Sequence, residues 1–293
     1  MAIAKSQIPN PKSQPERCCS LRCGISFGLG KRLCFGIWVL GFAILASGCA
    51  ARLLPLPTDP GNPLPDFAEI HRQSTSACAG VRTLTAELSL SGRAGGRPLR
   101  GRAIAGFQRP GSLRLEGVAP FGPPAFILAG SGDMATLLLP RDNRVLRNAR
   151  AEEILGALTG VALAPADLQA ILTGCVAAMP GAVGGRLHQN GWASIDLPGG
   201  ATLYLERAGA GWQSRAARRP GWQIEYPAWQ GAFPQAVRLR SVDPKVDVDL
   251  TAAVSQLEAN VTIDPAAFMV TVPADALPLT IAELRDAGPL RGQ

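Results

Sequence analysis

From residue 83 onward, apolar and polar positions alternate with a period of two. In "TLTAELSLSG" the side chains of Leu84, Ala86, Leu88 and Leu90 fall on one face, and those of Thr83, Thr85, Glu87 and Ser89 on the other. This is the pattern of a half-exposed antiparallel strand. Gly95 and Gly96 signal a tight hairpin, and "LRGRAIAGFQRP" returns with Leu99, Ala103, Ala105 and Phe107 opposed to Arg100 and Arg102. "SLRLEG", "AFILAG", "MATLLLP" and "NRVLRN" predict further strands. The period then changes. "AEEILGALTG" sets Ile154, Leu155 and Leu158 at helical spacing with Gly160 as a stop, and "PADLQAILTG" repeats the pattern with Leu168, Ile171 and Leu172. Alternation resumes in "WASIDL", "ATLYLE", "GWQIEYPAW", "AVRLRSV", "KVDVDLT" and "EANVTI". Thr280, with Glu283 three residues on, opens a last helix with a capping box. Ahead of the first strand, "PDFAEIHRQSTSACAGVRTL" predicts a short helix with Phe67, Ile70 and Ala77 on one face. The order of helix, strands, helices, strands predicts a mainly β, α+β fold: an unclosed antiparallel β-barrel with helices over its open side as a lid. The helical leucines fit either a filled core or the roof of an apolar cavity, and periodicity does not separate the two.

One stretch breaks the alternation. "GVAPFGPP", residues 117–124, holds Phe121 between proline-containing turns that forbid regular pairing. A phenylalanine left in water there forgoes about 1.5–3 kcal/mol of burial. The protein's own core, a partner protein or a membrane should cover it.

The N-terminal region names a compartment. Lys31 and Arg32 precede "LCFGIWVLGFAILASGC", an apolar run ending at Cys49. It is shorter than the roughly 20 residues that span a bilayer but has the length of a secretory signal core. Leu45-Ala46-Ser47-Gly48-Cys49 looks like a bacterial lipobox, where the cysteine receives a lipid and the leader is removed. The organisation read from the chain is a signal peptide with an extended basic leader over 1–48, a lipidated Pro-rich tether over 49–64 ("LLPLPTDPGNPLP"), and a folded domain over 65–293. Cys18, Cys19 and Cys23 lack the second pair or nearby histidine of a metal site. The formal charge of +7 invites a nucleic-acid partner, but 1–48 holds six of the 29 basic and one of the 22 acidic side chains. That leaves 23 against 21, a net of +2, with no basic stripe to track phosphates. With 47% of the whole sequence hydrophobic, the chain reads as folded.

The run "RLEGVAPFGPPAFIL", followed by "AEEILGALTGVALAPADLQAILTG", resembles the LolB family of outer-membrane lipoprotein receptors. The shared features are a Pro-apolar-Gly loop, here Ala119-Pro120-Phe121-Gly122, and a helix, here Glu152 to Gly160. The resemblance covers about residues 65 to 175, and the later strands agree in pattern only. It implies a lipid-anchored protein on the periplasmic face of the outer membrane. Such a protein takes lipoprotein acyl chains from a periplasmic carrier of LolA type, holds them in an apolar cavity and passes them to membrane lipid, as a monomer and without a cofactor. It implies Cys49 as lipid anchor and Pro120, Phe121 and Gly122 as the membrane-insertion loop, with phenylalanine where the family more often has leucine. It also implies Leu84, Leu88, Leu115, Phe126, Leu128, Ile154, Leu155, Leu158, Leu168, Ile171 and Leu172 around the acyl chains. The alternative is an anchored lipoprotein that binds another lipid or a glycolipid, or scaffolds an envelope complex.

An enzyme is not expected. His71 and His188 show no metal-ligand spacing, no GxSxG elbow occurs, and "GSGD" at 130–133 reads as a turn. Glu152 and Glu153 diverge on a helix, while Asp247 and Asp249 share a strand face with solvent. Cys78 and Cys175 remain. In an oxidising compartment they form a disulfide closing a loop of roughly 100 residues, or stand as two buried thiols.

Overall fold

The computed structural model describes residues 54–176, 181–243, 245–288 and 290. The expected signal peptide, Cys49 and the first residues of the expected tether lie outside the described residues. The strands are β1 (Asn62–Pro63), β2 (Thr83–Ala94), β3 (Arg97–Gln108), β4 (Ser112–Val118), β5 (Ile127–Ser131), β6 (Met134–Leu139), β7 (Arg144–Arg150), β8 (Gly184–Leu187), β9 (Ala193–Leu197), β10 (Ala201–Ala208), β11 (Gly211–Arg219), β12 (Trp222–Gln230), β13 (Phe233–Ser241), β14 (Val248–Ala259) and β15 (Leu277–Pro278). The helices are α1 (Phe67–Ser74), α2 (Ser76–Ala79), α3 (Ala151–Thr159), α4 (Pro165–Leu172) and α5 (Ile281–Ala287).

All these strands form one sheet in the order β1-β8-β9-β10-β11-β12-β13-β14-β2-β3-β4-β5-β6-β7-β15. Two antiparallel meanders, β2–β7 and β8–β14, are joined where β14 pairs with β2. β1 and β15 do not pair with each other, so the sheet stays open, as the element order predicts. The helices α3 and α4 lie in the connection between the meanders. They can therefore cover the inner face of both, and α4 contacts β4 from one and β13 from the other.

The tightest local signals hold. Gly95 and Gly96 both have positive φ, as a two-residue hairpin turn demands, and close β2 onto β3 through the pair Ala94 and Arg97. Gly160 ends α3 in the left-handed conformation, and Thr280 and Glu283 complete their reciprocal cap on α5.

Elsewhere the structure corrects the expected pattern. "KVDVDLT" and "EANVTI" belong largely to the single strand β14, whose register shifts between Ser255 and Glu258, where Gln256 takes a positive φ. A bulge of this kind interrupts the period of two and makes one strand look like two. β11 is an addition, because its buried positions are Ser214, Ala216 and Ala217 rather than bulky apolar residues. The N-terminal helix divides into α1 and α2, which bury His71, Thr75 and Cys78, while Phe67, Ile70 and Ala77 stay half-exposed.

Residues 54–63 of the segment expected as a tether are packed against the domain. The compact unit begins at Leu54, ahead of the boundary read at 65. β1 pairs with β8, and Leu54 N–H donates to Glu225 Oε1 at 3.1 Å. Asp59 accepts from Gly61 N–H at 3.2 Å and from Gln189 N–H at 3.3 Å. Residues 54–63 are thus a strap bound to the second meander.

Candidate functional site: an apolar hollow and an exposed loop

The inner face of β2, β3 and β4 tapers in side-chain volume. Paired residues share a face, so its rows are read from the register: Leu84, Phe107 and Leu113, then Ala86, Ala105 and Leu115. Leu88, Ala103 and Gly117 follow, and last Leu90 and Gly101. At the bulky end Leu84, Phe107 and Leu113 are all 0% exposed and form solid core. At the small end the side chains do not meet, and a cavity of about 110 Å³ remains.

Eight of the positions expected to hold acyl chains line this cavity: Leu88, Leu115, Phe126, Leu155, Leu158, Leu168, Ile171 and Leu172. Leu84, Leu128 and Ile154 do not, a correction to the expectation: each is 0% exposed within packed core, where Leu84 is paired with the bulky Phe107 and Leu128 with Leu115 and Leu137. Val237 and Leu239 of β13, with Leu250 and Ala252 of β14, supply the far wall, while Val161 and Leu163 extend the roof. The one polar side chain in the lining is Thr159, whose hydroxyl donates to the Leu155 carbonyl at 2.8 Å and so presents no free donor. Walls of this kind offer water almost no hydrogen-bond partners.

The roof is held at both ends of α4. Asp167 pairs with Arg219 at 2.7 Å. Just past the helix, Cys175 is bonded to Cys78 with Cα atoms 5.9 Å apart, while its carbonyl accepts from the buried Tyr226 hydroxyl at 3.0 Å. Burial pushes the Tyr226 phenol far above its usual range, so it remains a neutral donor. The disulfide ties the roof to α2 at the base of the first meander.

The loop between β4 and β5 carries two phenylalanines with opposite fates. Its neck is closed by Gly117 N–H donating to the Phe126 carbonyl at 3.0 Å and Ala125 N–H to the Gly117 carbonyl at 2.9 Å. Phe126 folds inward: a Cβ on Gly117 would stand 2.5 Å from its ring, so only glycine admits it. Phe121 is 88% exposed, the most exposed large apolar side chain among the described residues. Pro120 and Gly122 are exposed beside it. Arg141, from the turn between β6 and β7, donates to the carbonyls of Phe121 and Pro123 and braces the tip.

A third cluster has the residue types of a catalytic triad. His188 Nε2 lies 2.9 Å from Ser194 Oγ, and its Nδ1 lies 3.4 Å from Asp59 Oδ2 and 3.2 Å from the Asp59 carbonyl. Burial acts to raise the Asp59 pKa, but hydrogen bonds from the Gln189 N–H and His188, with the His188 charge, hold it below the usual value. Ser194 is 4% exposed and lies beneath this contact, so a substrate carbonyl cannot reach it. The cluster fastens the strap to β8 and β9. Among the described residues no group of three or more His, Cys, Asp or Glu could hold a metal ion, and no helix is long and apolar enough to cross a membrane.

Fold and site together define an open antiparallel sheet whose helical roof encloses an apolar hollow beside an exposed aromatic loop. No family model and no curated protein matches the chain. Among solved structures it is similar to a DUF1329 family protein from Desulfovibrio piger, at 12% identity and TM-score 0.48, over 71% of this chain and 98% of that one. It is also similar to a LolA superfamily protein from Nitrosomonas europaea, at 8% identity and TM-score 0.47, over 71% and 98%. A third likeness is to the lipoprotein LppX of Mycobacterium tuberculosis, at 14% identity and TM-score 0.29, over 68% and 99%. The hollow and the loop carry the functional case without them.

Proposed function

We propose that this protein is a lipid-anchored receptor and inserter for lipoproteins on the periplasmic face of the outer membrane. It accepts acyl chains in the hollow under α3 and α4 and releases them to the bilayer beside Phe121. The observation that carries this reading is the pairing of an apolar hollow with a braced, solvent-facing phenylalanine on the neighbouring loop. Transfer needs no covalent step or cofactor: the chain moves between the carrier, the hollow and the bilayer down differences in apolar burial. Cys49 supplies the anchor, since two or more acyl chains hold a protein stably at a membrane. A carrier of LolA type supplies the cargo, and the receptor acts as a monomer.

The volume of the hollow supports a second reading. Pockets that enclose a drug-sized ligand hold about 300–1,000 Å³, so 110 Å³ suits part of a single chain until the roof moves. An anchored protein for another single-chain lipid fits this closed form. Depletion separates the readings: a lipoprotein receptor leaves other lipoproteins stalled in the periplasm, whereas a binder of another lipid does not. Within the first reading, Phe121→Glu should abolish delivery of a triacylated lipopeptide to vesicles while binding of the lipopeptide persists. Delivery at the wild-type rate by that variant overturns the role of the loop.

A further inference from the structure

Leu290 stands between two spaces. It lines the apolar hollow, and with Leu90 it also lines a cleft of about 390 Å³ floored by Gly101 and Gly117 and reaching Pro120 at the base of the exposed loop. β4 leaves the sheet at Val118, which is paired with Arg102, so the Arg100 N–H two residues earlier on β3 has no partner from β4. The Leu290 carbonyl takes that N–H at 3.1 Å. Its side chain lies flat on Gly101, where an added Cβ would stand 2.7 Å from Leu290 Cδ2, and it is 3% exposed. Gly288, left-handed at the end of α5, turns the chain toward this position.

We propose that the cleft is the inlet for a cargo acyl chain and that Leu290 is a plug supplied by the protein itself, which the chain displaces as it passes from the cleft into the hollow. This rests on the acyl-binding reading above. Three features favour a plug over a wall. The Leu290 carbonyl takes a β3 N–H that β4 leaves unmatched, its side chain lies over a glycine, and it lines both spaces.

The test uses cis-parinaric acid, a fatty acid whose fluorescence rises in apolar surroundings, with the full mature chain and its Leu290→Val and Leu290→Ala variants. An internal competitor equal to one buried leucine should weaken wild-type binding about tenfold relative to Leu290→Ala. The valine variant should fall between them, and the association rate should rise in the same order. Equal affinity across the series, or weaker binding by the variants, overturns the plug while leaving acyl binding intact. Failure of every form to bind overturns the acyl-binding reading and the plug with it. If the alanine variant does not fold, wild type against Leu290→Val decides the matter in the same way.

Discussion

Along the same three strands the inner face is solid at one end and hollow at the other, although both ends are rich in leucine. The difference is what faces those leucines. Leu84 meets Phe107 and Leu113, whereas Leu88 meets Ala103 and Gly117, and Leu90 meets Gly101. The bulky end packs solid on its own, whereas at the other end the small residues of β3 and β4 admit Phe126 and Leu290, and a cavity remains beside them.

The sharpest way to break this comparison is to make the two ends alike. Phe107→Ala should cost about 3–5 kcal/mol in denaturant unfolding, the usual range for a buried aromatic. Leu168→Ala, on a half-buried residue already facing empty space, should cost no more than about 2 kcal/mol, the low end for leucine truncation. Equal losses would show that the hollow end is packed as well as the solid one.

Next in size is the disulfide. Cys78→Ala with Cys175→Ala removes a crosslink spanning 97 residues, and stability should fall by up to about 4–5 kcal/mol in the chain-entropy view, with strain and residual structure reducing the measured loss. Hydrogen exchange should then speed up in α4 more than in β2. Uniform acceleration would mean that the bond secures the whole fold rather than the roof.

Filling the hollow tests capacity alone. Ala103→Leu should weaken cis-parinaric acid binding about tenfold while stability holds or rises by about 0.5–2 kcal/mol, as for other cavity-filling changes.

The smallest expected effect concerns α5, which leads to Leu290. Arg144, bonded at 2.7 Å, together with the Thr280 N–H and hydroxyl, lowers the Glu283 pKa to about 2 from an ordinary 4.5. A carboxylate with a depressed folded-state pKa stabilises the fold above its unfolded value, and that contribution is lost as pH falls from 4.5 through about 2. Melting temperatures of wild type and Glu283→Gln should therefore differ most near neutral pH and converge below pH 4.5. A gap independent of pH would remove this carboxylate from the anchoring of the helix.

Much of this was legible in the chain. Alternation placed β2, β3 and β4, and helical spacing with glycine stops placed α3 and α4, because each has one apolar face whose period is undisturbed. The taper stood in the sequence as Phe107, Ala105, Ala103 and Gly101 at alternate positions, but its meaning depended on which residues face them across the sheet. That is why Leu84, Leu128 and Ile154 seemed equivalent to Leu88 and Leu158. The strap at 54–63 has the composition of a linker, and its order comes from particular polar contacts, such as Asp59 with His188, which composition does not encode. Leu290 is a lone apolar residue after a helix and carries no periodic signal.

The most direct measurement is photo-crosslinking with a triacylated lipopeptide carrying a diazirine within an acyl chain, followed by peptide mapping. A hollow that holds cargo predicts label on Leu88, Leu115, Leu158 and Leu168, lost when Ala103→Leu fills the space. Label confined to Phe121 and the outer surface, with the inner leucines untouched, would contradict it.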